Sequence, residues 1–310
     1  MLAGRYGFAQ GIERAFMVQA VVGIIGGSGV YDLPGLEIER EERVATPWGE
    51  PSDALRFGRI GATRAVFLPR HGRGHELSPS DINYRANIDA MKRAGVTDLV
   101  SVSACGSFKP ELQPGLFVLV DQYVDRTQGR ASSFFGKGCV AHVSMARPAA
   151  PKLLERIHEA AKAESIPVVK GGTYLCMEGP QFSSLAESLT YKALNYDVIG
   201  MTAMPEAKLA REAELSYATV AMVTDFDCWH PEHDAVDVAS VIKIVRENAG
   251  KAARLLARLL RDFPAEHEPC PVGSDRALET ALVTAPGSRD PELLKKLDAV
   301  MARVLRGTPA

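Results

Sequence analysis

The segment VQAVVGIIGGSG at residues 18–29 gives the clearest indication of the fold class. Its first eight residues are mostly apolar and β-branched, and a glycine-rich sequence follows, which indicates a buried strand that ends in a tight loop. Similar apolar runs recur along the chain and alternate with stretches of helical spacing. The pattern predicts βαβ units and one α/β domain, in which a mostly parallel, twisted central sheet is flanked by helices on both faces.

The same patterns predict the remaining elements. Strands are expected at 65–68, 99–102, 116–120, 168–176 with a break at Gly171-Gly172, 198–201 and 217–223, and helices at 80–94, 151–164, 184–194, 205–213 and 236–262. A Pro-rich connector follows the last long helix, and a C-terminal helical extension is expected after it. We therefore expect a leader at 1–16, an α/β domain at 17–262, and a linker with a helical tail at 263–310.

The composition excludes several classes of protein. The 310 residues are 46% hydrophobic and 24% charged, with 36 Lys and Arg against 38 Asp and Glu. This near balance provides no strong field for a polyanion, so neither nucleic acid nor an anionic membrane is an expected partner. The five cysteines are scattered and form no C-x-x-C pair, which favours reduced thiols and a cytoplasmic protein.

Candidate functional residues lie in loops after predicted strands, where parallel sheets bind their ligands. The loop Gly26–Gly29 lacks the dinucleotide fingerprint and has no G-K-[ST] sequence, so it is not a P-loop. Its N–H groups and the Ser28 hydroxyl are suited to phosphate, although a tight turn alone also explains the glycines. In the next loop, Arg70 is expected to offer a bidentate fork to phosphate and His71 a further hydrogen bond. A solvated basic loop is the alternative.

The third loop, Ser103–Ser107, consists of small residues that allow an anion to approach the backbone closely. Cys105 within it is either a nucleophile or, as is more usual for such a position, a small buried hydrophobic residue. Two later segments add an aromatic residue and a hydroxyl. Phe182 follows a Gly-Pro turn and is either a core residue or a plate for a flat ligand. Thr202 precedes a predicted helix, where a phosphate is favourably bound.

The fourth loop places Asp225 and Asp227 directly after an apolar strand. One aspartate is suited to protonating a leaving group while the other accepts a hydrogen bond from a ligand edge. The acid needs a pKa raised above its usual value of about 3.9, which burial supplies. The alternatives are a metal cluster with His230 and His233, or a helix N-cap.

Eight segments in this order resemble the 5′-methylthioadenosine phosphorylases, which belong to the trimeric purine nucleoside phosphorylase family. They span about residues 20–260 and comprise GIIGGSGVYDL (23–33), TPWGEPSDAL (46–55), PRHGRGH (69–75), NYRANI (83–88), SACGS (103–107), MEGPQFSS (177–184), MTAMPEAKLARE (201–212) and TDFDCW (224–229). The resemblance implies phosphorolysis of a purine nucleoside, with inorganic phosphate as co-substrate and no metal or organic cofactor. It implies a phosphate site formed by Ser28, Arg70, His71, Ser103, the Ala104 backbone and Thr202.

For the nucleoside, the resemblance implies that Met201 lies against the ribose and Phe182 flanks the base. Asp225 would protonate purine N7 or donate a hydrogen bond to it. Asp227 would accept a hydrogen bond from the 6-amino group. Val238, Val241 and Ile242 would line the pocket for the 5′-methylthio group, although a core-facing helix stripe explains their spacing equally well. His142 would reach a neighbouring subunit in a homotrimer or a dimer of trimers.

The resemblance implies that an aspartate pair at these positions gives a preference for 6-aminopurine substrates. The expected reaction therefore converts S-methyl-5′-thioadenosine to adenine and 5-methylthioribose 1-phosphate, as in methionine and purine salvage. An alternative is a phosphorylase of different or broader specificity that accepts adenosine, inosine, guanosine or S-methyl-5′-thioinosine. A second alternative is a module that binds a nucleotide without chemistry.

Overall fold

The computed structural model of the protein describes residues 18–27, 33–231 and 238–306. Eleven strands of this part form one sheet: β1 (Val21–Gly26), β2 (Glu37–Glu42), β3 (Leu55–Ile60), β4 (Thr63–Pro69), β5 (Asp98–Ser107), β6 (Phe117–Val120), β7 (Gln122–Asp125), β8 (Val168–Lys170), β9 (Thr173–Cys176), β10 (Val198–Gly200) and β11 (Ser216–Asp225). The helices are α1 (Tyr84–Arg93), α2 (Pro151–Ala163), α3 (Leu185–Ala193), α4 (Ala203–Glu212), α5 (Val238–Arg261), α6 (Pro291–Lys296) and α7 (Ala302–Leu305).

The centre of the sheet is parallel. Strands β4, β1, β5 and β11 lie side by side in that order and all run in the same direction. Antiparallel strands β3 and β2 extend one edge, while β6 lies antiparallel on the far side of β11. A third branch begins at β10, which is antiparallel to β5, and continues through β9 to β7. The predicted α/β class with a mostly parallel central sheet is confirmed, with antiparallel strands at its margins.

Both faces of the sheet are covered, as the uninterrupted apolar runs predict. In β1, Val21 and Ile25 belong to one core with α1 and α4, whereas Val22 and Ile24 face a second core with α2 and α5. Alternate residues of a strand point to opposite faces, so an apolar residue at nearly every position supplies both cores. The long apolar strands are therefore those at the centre of the sheet.

The expected strands are incomplete: one segment expected as a loop is a strand, and β2, β3 and β7 were not predicted. Residues 103–107, expected as a loop, form the second half of β5, where pairing with β11 satisfies their backbone. Strand β2, with the sequence EIEREE, was not expected because it is exposed throughout and has no apolar run. Its pairing to β3, together with ion pairs such as Arg56 to Glu41 at 2.8 Å, supports it as a charged edge strand.

The C-terminal residues pack on the rest of the domain. Leu278, Leu297, Val300 and Met301 are fully buried in the core that contains α1 and α4. The helices here are short, namely α6, α7 and two single 3₁₀ turns. The domain boundary at residue 262 stays a prediction, and the expected leader lies outside the described residues. No helix in the described part of the chain is long and apolar enough to cross a membrane.

Candidate active site

Strand β5 changes partners along one of its edges. This edge pairs with β1 as far as Val102 and with β10 from Gly106 onward, while the opposite edge pairs with β11 throughout. Between the two partners, the backbone at Ser103–Cys105 borders a gap in the sheet. Ala104 is the one exposed residue in an otherwise buried strand. The exposed Ala104 therefore marks a break between the two partner strands, through which the backbone of β5 is accessible from outside the sheet.

Two hydroxyl groups lie beside this gap. Because β10 runs antiparallel to β5, the chain that leaves β10 brings Thr202 next to Ser103, with the two side-chain oxygens 3.2 Å apart. Both residues are buried. Thr202 is the N-cap residue of α4, yet its side chain makes no capping hydrogen bond. The Thr202 hydroxyl therefore lies against Ser103 at the gap instead of capping the helix.

Arg70 lies directly after β4, and its guanidinium forms hydrogen bonds to other groups of the protein. It is 1% exposed, and its Nε and Nη2 donate to the two carboxylate oxygens of Glu206 at 2.9 and 3.2 Å. Its Nη1 donates to the Val102 carbonyl and its Nη2 also donates to the Ser101 hydroxyl. The sequence analysis assigned the bidentate contact of Arg70 to phosphate. In this structure Arg70 makes that contact with the Glu206 carboxylate. A direct contact between Arg70 and phosphate stays a prediction.

His71 is buried and stacks on His75, with the ring centroids 4.2 Å apart. Burial and the neighbouring Arg70 charge lower the pKa of His71 to about 4, so the ring is neutral at physiological pH. Its Nδ1 lies 2.9 Å from the carbonyl oxygen of Leu77, which only accepts, and this assigns the ring proton to Nδ1. The other nitrogen is then an acceptor. It suits the hydroxyl of a hydrogen phosphate ion, whereas the sequence analysis expected a donor.

The two aspartates lie at the end of β11, opposite Gly106. A Cβ at Gly106 would lie 2.7 Å from Oδ1 of Asp225, so glycine leaves the space that this carboxyl occupies. Asp225 accepts hydrogen bonds from the Asp227 backbone N–H at 2.8 Å and from the Thr224 hydroxyl at 2.7 Å. Burial nevertheless raises the pKa of Asp225. This is the direction that a proton donor requires.

Asp227 has a left-handed backbone, with φ of 52°, and a side chain that is almost fully buried. Its Oδ2 has no hydrogen-bond partner among the described residues. Burial raises the pKa of Asp227, and the hydroxyls of Ser188 and Ser183 lie near enough to oppose that effect. A buried carboxylate oxygen without a partner is unfavourable, so this position is prepared for a ligand that donates a hydrogen bond.

The alternative chemistries receive no support. Burial raises the pKa of Cys105 well above its usual value, which keeps the residue a thiol. Among the described residues, three potential metal ligands cluster only on α2, at Glu155, His158 and Glu159, far along the chain from the aspartates. Asp225 belongs to a strand and caps no helix. His233, which the metal hypothesis also required, lies outside the described residues.

The structure describes only some of the residues that are predicted to bind the nucleoside. Met201 is half-buried and packs against Gly179, and Phe182 is 47% exposed and belongs to no core. His142 is exposed on the long segment between β7 and α2. Ser28 and the side chains of Val238, Val241 and Ile242 lie outside the described part of the structure. The roles of all these residues stay predictions.

The sequence analysis missed two charged residues in this region. Glu206 is 1% exposed and accepts from the Tyr217 hydroxyl at 2.9 Å in addition to Arg70. Arg130 has a side chain that is 2% exposed and donates to the carbonyl oxygens of Met201 and Met204. Glu206 lies in a helix, and Arg130 follows β7, a strand that the sequence did not predict; a single charged residue has no spacing signal. For Glu206, the one available signal was its position in the first turn of a helix that follows a candidate phosphate residue.

Comparison with known proteins agrees with this arrangement. The model of the phosphorylase superfamily matches residues 21–261. The S-methyl-5′-thioadenosine phosphorylase of Bradyrhizobium diazoefficiens is 70% identical over 291 residues, which cover 94% of this chain and 100% of that protein. The protein of the same name from Cereibacter sphaeroides is 59% identical, with 94% and 100% covered.

Solved structures give the same result. A methylthioadenosine phosphorylase from an antarctic soil metagenomic library has a TM-score of 0.83 and 43% identity, covering 91% of this chain and 99% of that one. Methylthioadenosine phosphorylase from Schistosoma mansoni, in complex with adenine, has a TM-score of 0.80 and 37% identity, with 88% and 99% covered. The matched family model and these relatives cover nearly the whole described domain, and the chain therefore belongs to the phosphorylase superfamily.

Proposed function

We propose that this protein cleaves the N-glycosidic bond of S-methyl-5′-thioadenosine with inorganic phosphate, giving adenine and 5-methylthioribose 1-phosphate. The observation that carries the proposal is the aspartate pair, with its unpartnered Asp227 oxygen, at the end of β11, the strand that pairs with β5 and so with the Ser103 end of the hydroxyl pair. Ser103 and Gly106 are three residues apart along β5, a distance of roughly 10 Å. A ribose bridges such a distance, with phosphate at one end and the purine at the other.

The reaction follows from these groups. A phosphate oxygen held by Ser103 and Thr202 attacks C1′, the new C1′–O bond forms, and the C1′–N9 bond breaks with its electron pair passing to the purine. Asp225, whose pKa is raised by burial, donates its proton or a hydrogen bond to N7 and relieves the charge on the departing base. The free Oδ2 of Asp227 accepts from the 6-amino group, which favours adenine over 6-oxopurines.

The phosphate end needs no metal or organic cofactor in this scheme. The anion is held by the two hydroxyls and by the β5 backbone at the exposed Ala104, with the Arg70 charge behind them. His71 accepts from the phosphate hydroxyl through its free nitrogen. Ser28 would complete the phosphate site, and Val238, Val241 and Ile242 would line the 5′ pocket.

We extend the proposal to assembly and location. The exposed Phe182 and His142 suit a homotrimer, or a dimer of trimers, in which His142 of one subunit reaches the nucleoside of its neighbour. Such contact would cover Phe182, which a single subunit leaves open to water. The five cysteines are all free, which is consistent with a cytoplasmic protein. Neither nucleic acid nor a membrane is part of the proposal.

The direct test is release of the free purine, adenine or hypoxanthine, by the purified protein, with and without phosphate. The substrates are S-methyl-5′-thioadenosine, adenosine, inosine and S-methyl-5′-thioinosine. We expect phosphate-dependent release that is fastest for S-methyl-5′-thioadenosine. Faster cleavage of the two 6-oxopurine nucleosides would contradict the roles of Asp225 and Asp227. Binding without any phosphate-dependent product would contradict the enzymatic function as a whole.

A further inference from the structure

Arg130 occupies a position between two turns of the proposed site. It lies in the segment after β7, and its side chain is 2% exposed. One of the two turns joins β10 to α4 and carries Met201 and Thr202. The other follows β9 and leads from Glu178 to Phe182. A buried guanidinium needs a partner for each of its N–H groups, so its contacts show what it organises.

The guanidinium donates to both turns. Its Nη1 donates to the carbonyl oxygens of Met201 at 2.7 Å and Met204 at 2.8 Å. Its Nη2 donates to the carbonyl oxygen of Glu178 at 2.6 Å. Its Nε lies 3.4 Å from the Glu178 carboxylate. The remaining hydrogen bonds, to the hydroxyls of Ser80 and Tyr84, attach the same group to the segment that leads into α1. One side chain thus connects three backbone segments.

The guanidinium contacts an irregular part of the chain, the first turn of α4. Met204 has φ of −120° and ψ of 135°, so the backbone leaves the helical conformation inside this turn. Arg130 donates to the carbonyl oxygens of Met201, before this break, and of Met204, at the break. With the turn held in this way, the Thr202 side chain makes no capping bond and instead lies against Ser103.

We propose that Arg130 is a positioning residue that holds Thr202 and Met201 at the distance from Ser103 that phosphate and ribose require. The proposal rests on the proposed function. Arg130 has no contact with β5 or β11 among its hydrogen bonds, so Ser103 and the aspartates keep their places without it. Loss of Arg130 should therefore weaken the phosphate end while leaving proton donation to the base intact.

The variant Arg130→Met tests this, and Arg211→Met is its matched control. Arg211 lies in the last turn of the same helix, is also buried, and donates to the backbone carbonyls of Arg147, Pro148 and Val272, away from the hydroxyl pair. Both variants remove a buried guanidinium that holds backbone carbonyls. Only the first should move the kinetic constants.

We expect Arg130→Met to raise KM for phosphate by about tenfold or more and to weaken the stabilisation of the protein by phosphate in thermal unfolding. The part of the pH profile of kcat that depends on the protonation of Asp225 should be unchanged. Arg211→Met should lower Tm but leave KM for phosphate within twofold of wild type. Arg130→Lys, which keeps the charge but offers fewer directed donors, should fall between wild type and Arg130→Met.

A phosphate KM within twofold of wild type in Arg130→Met, or an equal rise in Arg211→Met, would overturn the proposal. If Arg130→Met does not fold, the comparison of Arg130→Lys with Arg211→Lys decides by the same criterion. Wild-type protein without phosphate-dependent adenine release would instead refute the proposed function. In that event, the phosphate-induced shift in Tm still tests whether Arg130 organises an anion site.

Discussion

At the phosphate end of the proposed site the polar groups are paired with one another, whereas at the base end a buried oxygen has no partner. Arg70 is bound to Glu206, and Ser103 lies against Thr202. Asp227, in contrast, has a buried Oδ2 that no described residue satisfies. Protein groups that are paired in advance hold a shape, while an unpaired buried acceptor favours whichever ligand supplies the missing donor. The phosphate end is thus the rigid part, and the base end is the selective part.

The largest expected effect concerns the base end. Asp225→Asn keeps the shape of the side chain but removes the proton that purine N7 receives. We expect kcat/KM for S-methyl-5′-thioadenosine to fall by about 10²- to 10⁴-fold, the usual contribution of a general acid. Thermal unfolding in the presence of phosphate serves as the control, because the phosphate end should be unaffected. Full activity in this variant would contradict the role of Asp225.

The second effect concerns the pairing at the phosphate end. Glu206→Leu leaves the Arg70 guanidinium buried without its carboxylate, which costs about 3–5 kcal/mol in the free energy of unfolding. Glu206→Gln retains one acceptor and should cost less. Urea unfolding of both variants provides the measurement. A loss below about 1 kcal/mol in Glu206→Leu would mean that this pair does not hold the phosphate end together.

The third effect sharpens the selective role of Asp227. Asp227→Asn offers an amide N–H where the carboxylate oxygen was, so it suits a 6-oxopurine better than a 6-aminopurine. We expect the ratio of kcat/KM for S-methyl-5′-thioadenosine over S-methyl-5′-thioinosine to fall by about 10- to 200-fold. Initial rates with the two nucleosides at saturating phosphate measure it. An unchanged ratio would show that Asp227 does not distinguish a 6-aminopurine from a 6-oxopurine.

The smallest effect is on the pH dependence of stability, to which the phosphate end and the base end contribute with opposite signs. His71 has its pKa lowered to about 4, so the folded state binds fewer protons than the unfolded state between about pH 4 and 6.5, and stability is lost as pH falls through this range. Asp225 has its pKa raised, so its contribution has the opposite sign: stability is lost as pH rises above the usual aspartate pKa.

Variants of these two residues should therefore change the pH dependence of Tm in opposite directions. His71→Gln should reduce the loss of stability on acidification, by about 1–3 kcal/mol, and Asp225→Asn should increase it. The measurement is Tm from pH 4 to pH 8 for wild type and both variants. A His71→Gln curve parallel to that of wild type would show that the imidazole is not buried in its neutral form.

The sequence predicts the parts of the site that depend on local pattern. The apolar runs of β1 and β11 are recognisable, and so are Ser103, Thr202, Asp225 and Asp227, because each follows or ends such a run. The antiparallel entry of β10 is not predictable in this way, since strand direction depends on pairing with β5 far away in the chain. It is this entry that opens the gap beside Ala104.

The buried contacts of Arg70 and Arg130 escaped the sequence analysis for a related reason. Arg70 and Glu206 are 136 residues apart, and Arg130 and Met201 are 71 apart, so no spacing rule connects them. A basic residue in a loop is usually solvated, and only the fold shows that these two are buried. The charged strand β2 was missed because its pairing with β3, rather than burial, makes it a strand.

The stoichiometry of phosphate consumption tests the central claim most directly. The protein would be incubated with S-methyl-5′-thioadenosine and phosphate while phosphorus NMR follows the phosphate and absorbance follows adenine. The account predicts one phosphate converted to a sugar 1-phosphate ester for each adenine released, and no release when phosphate is omitted. Adenine release without phosphate, or with the phosphate signal unchanged, would contradict it, because water rather than phosphate would then be the nucleophile.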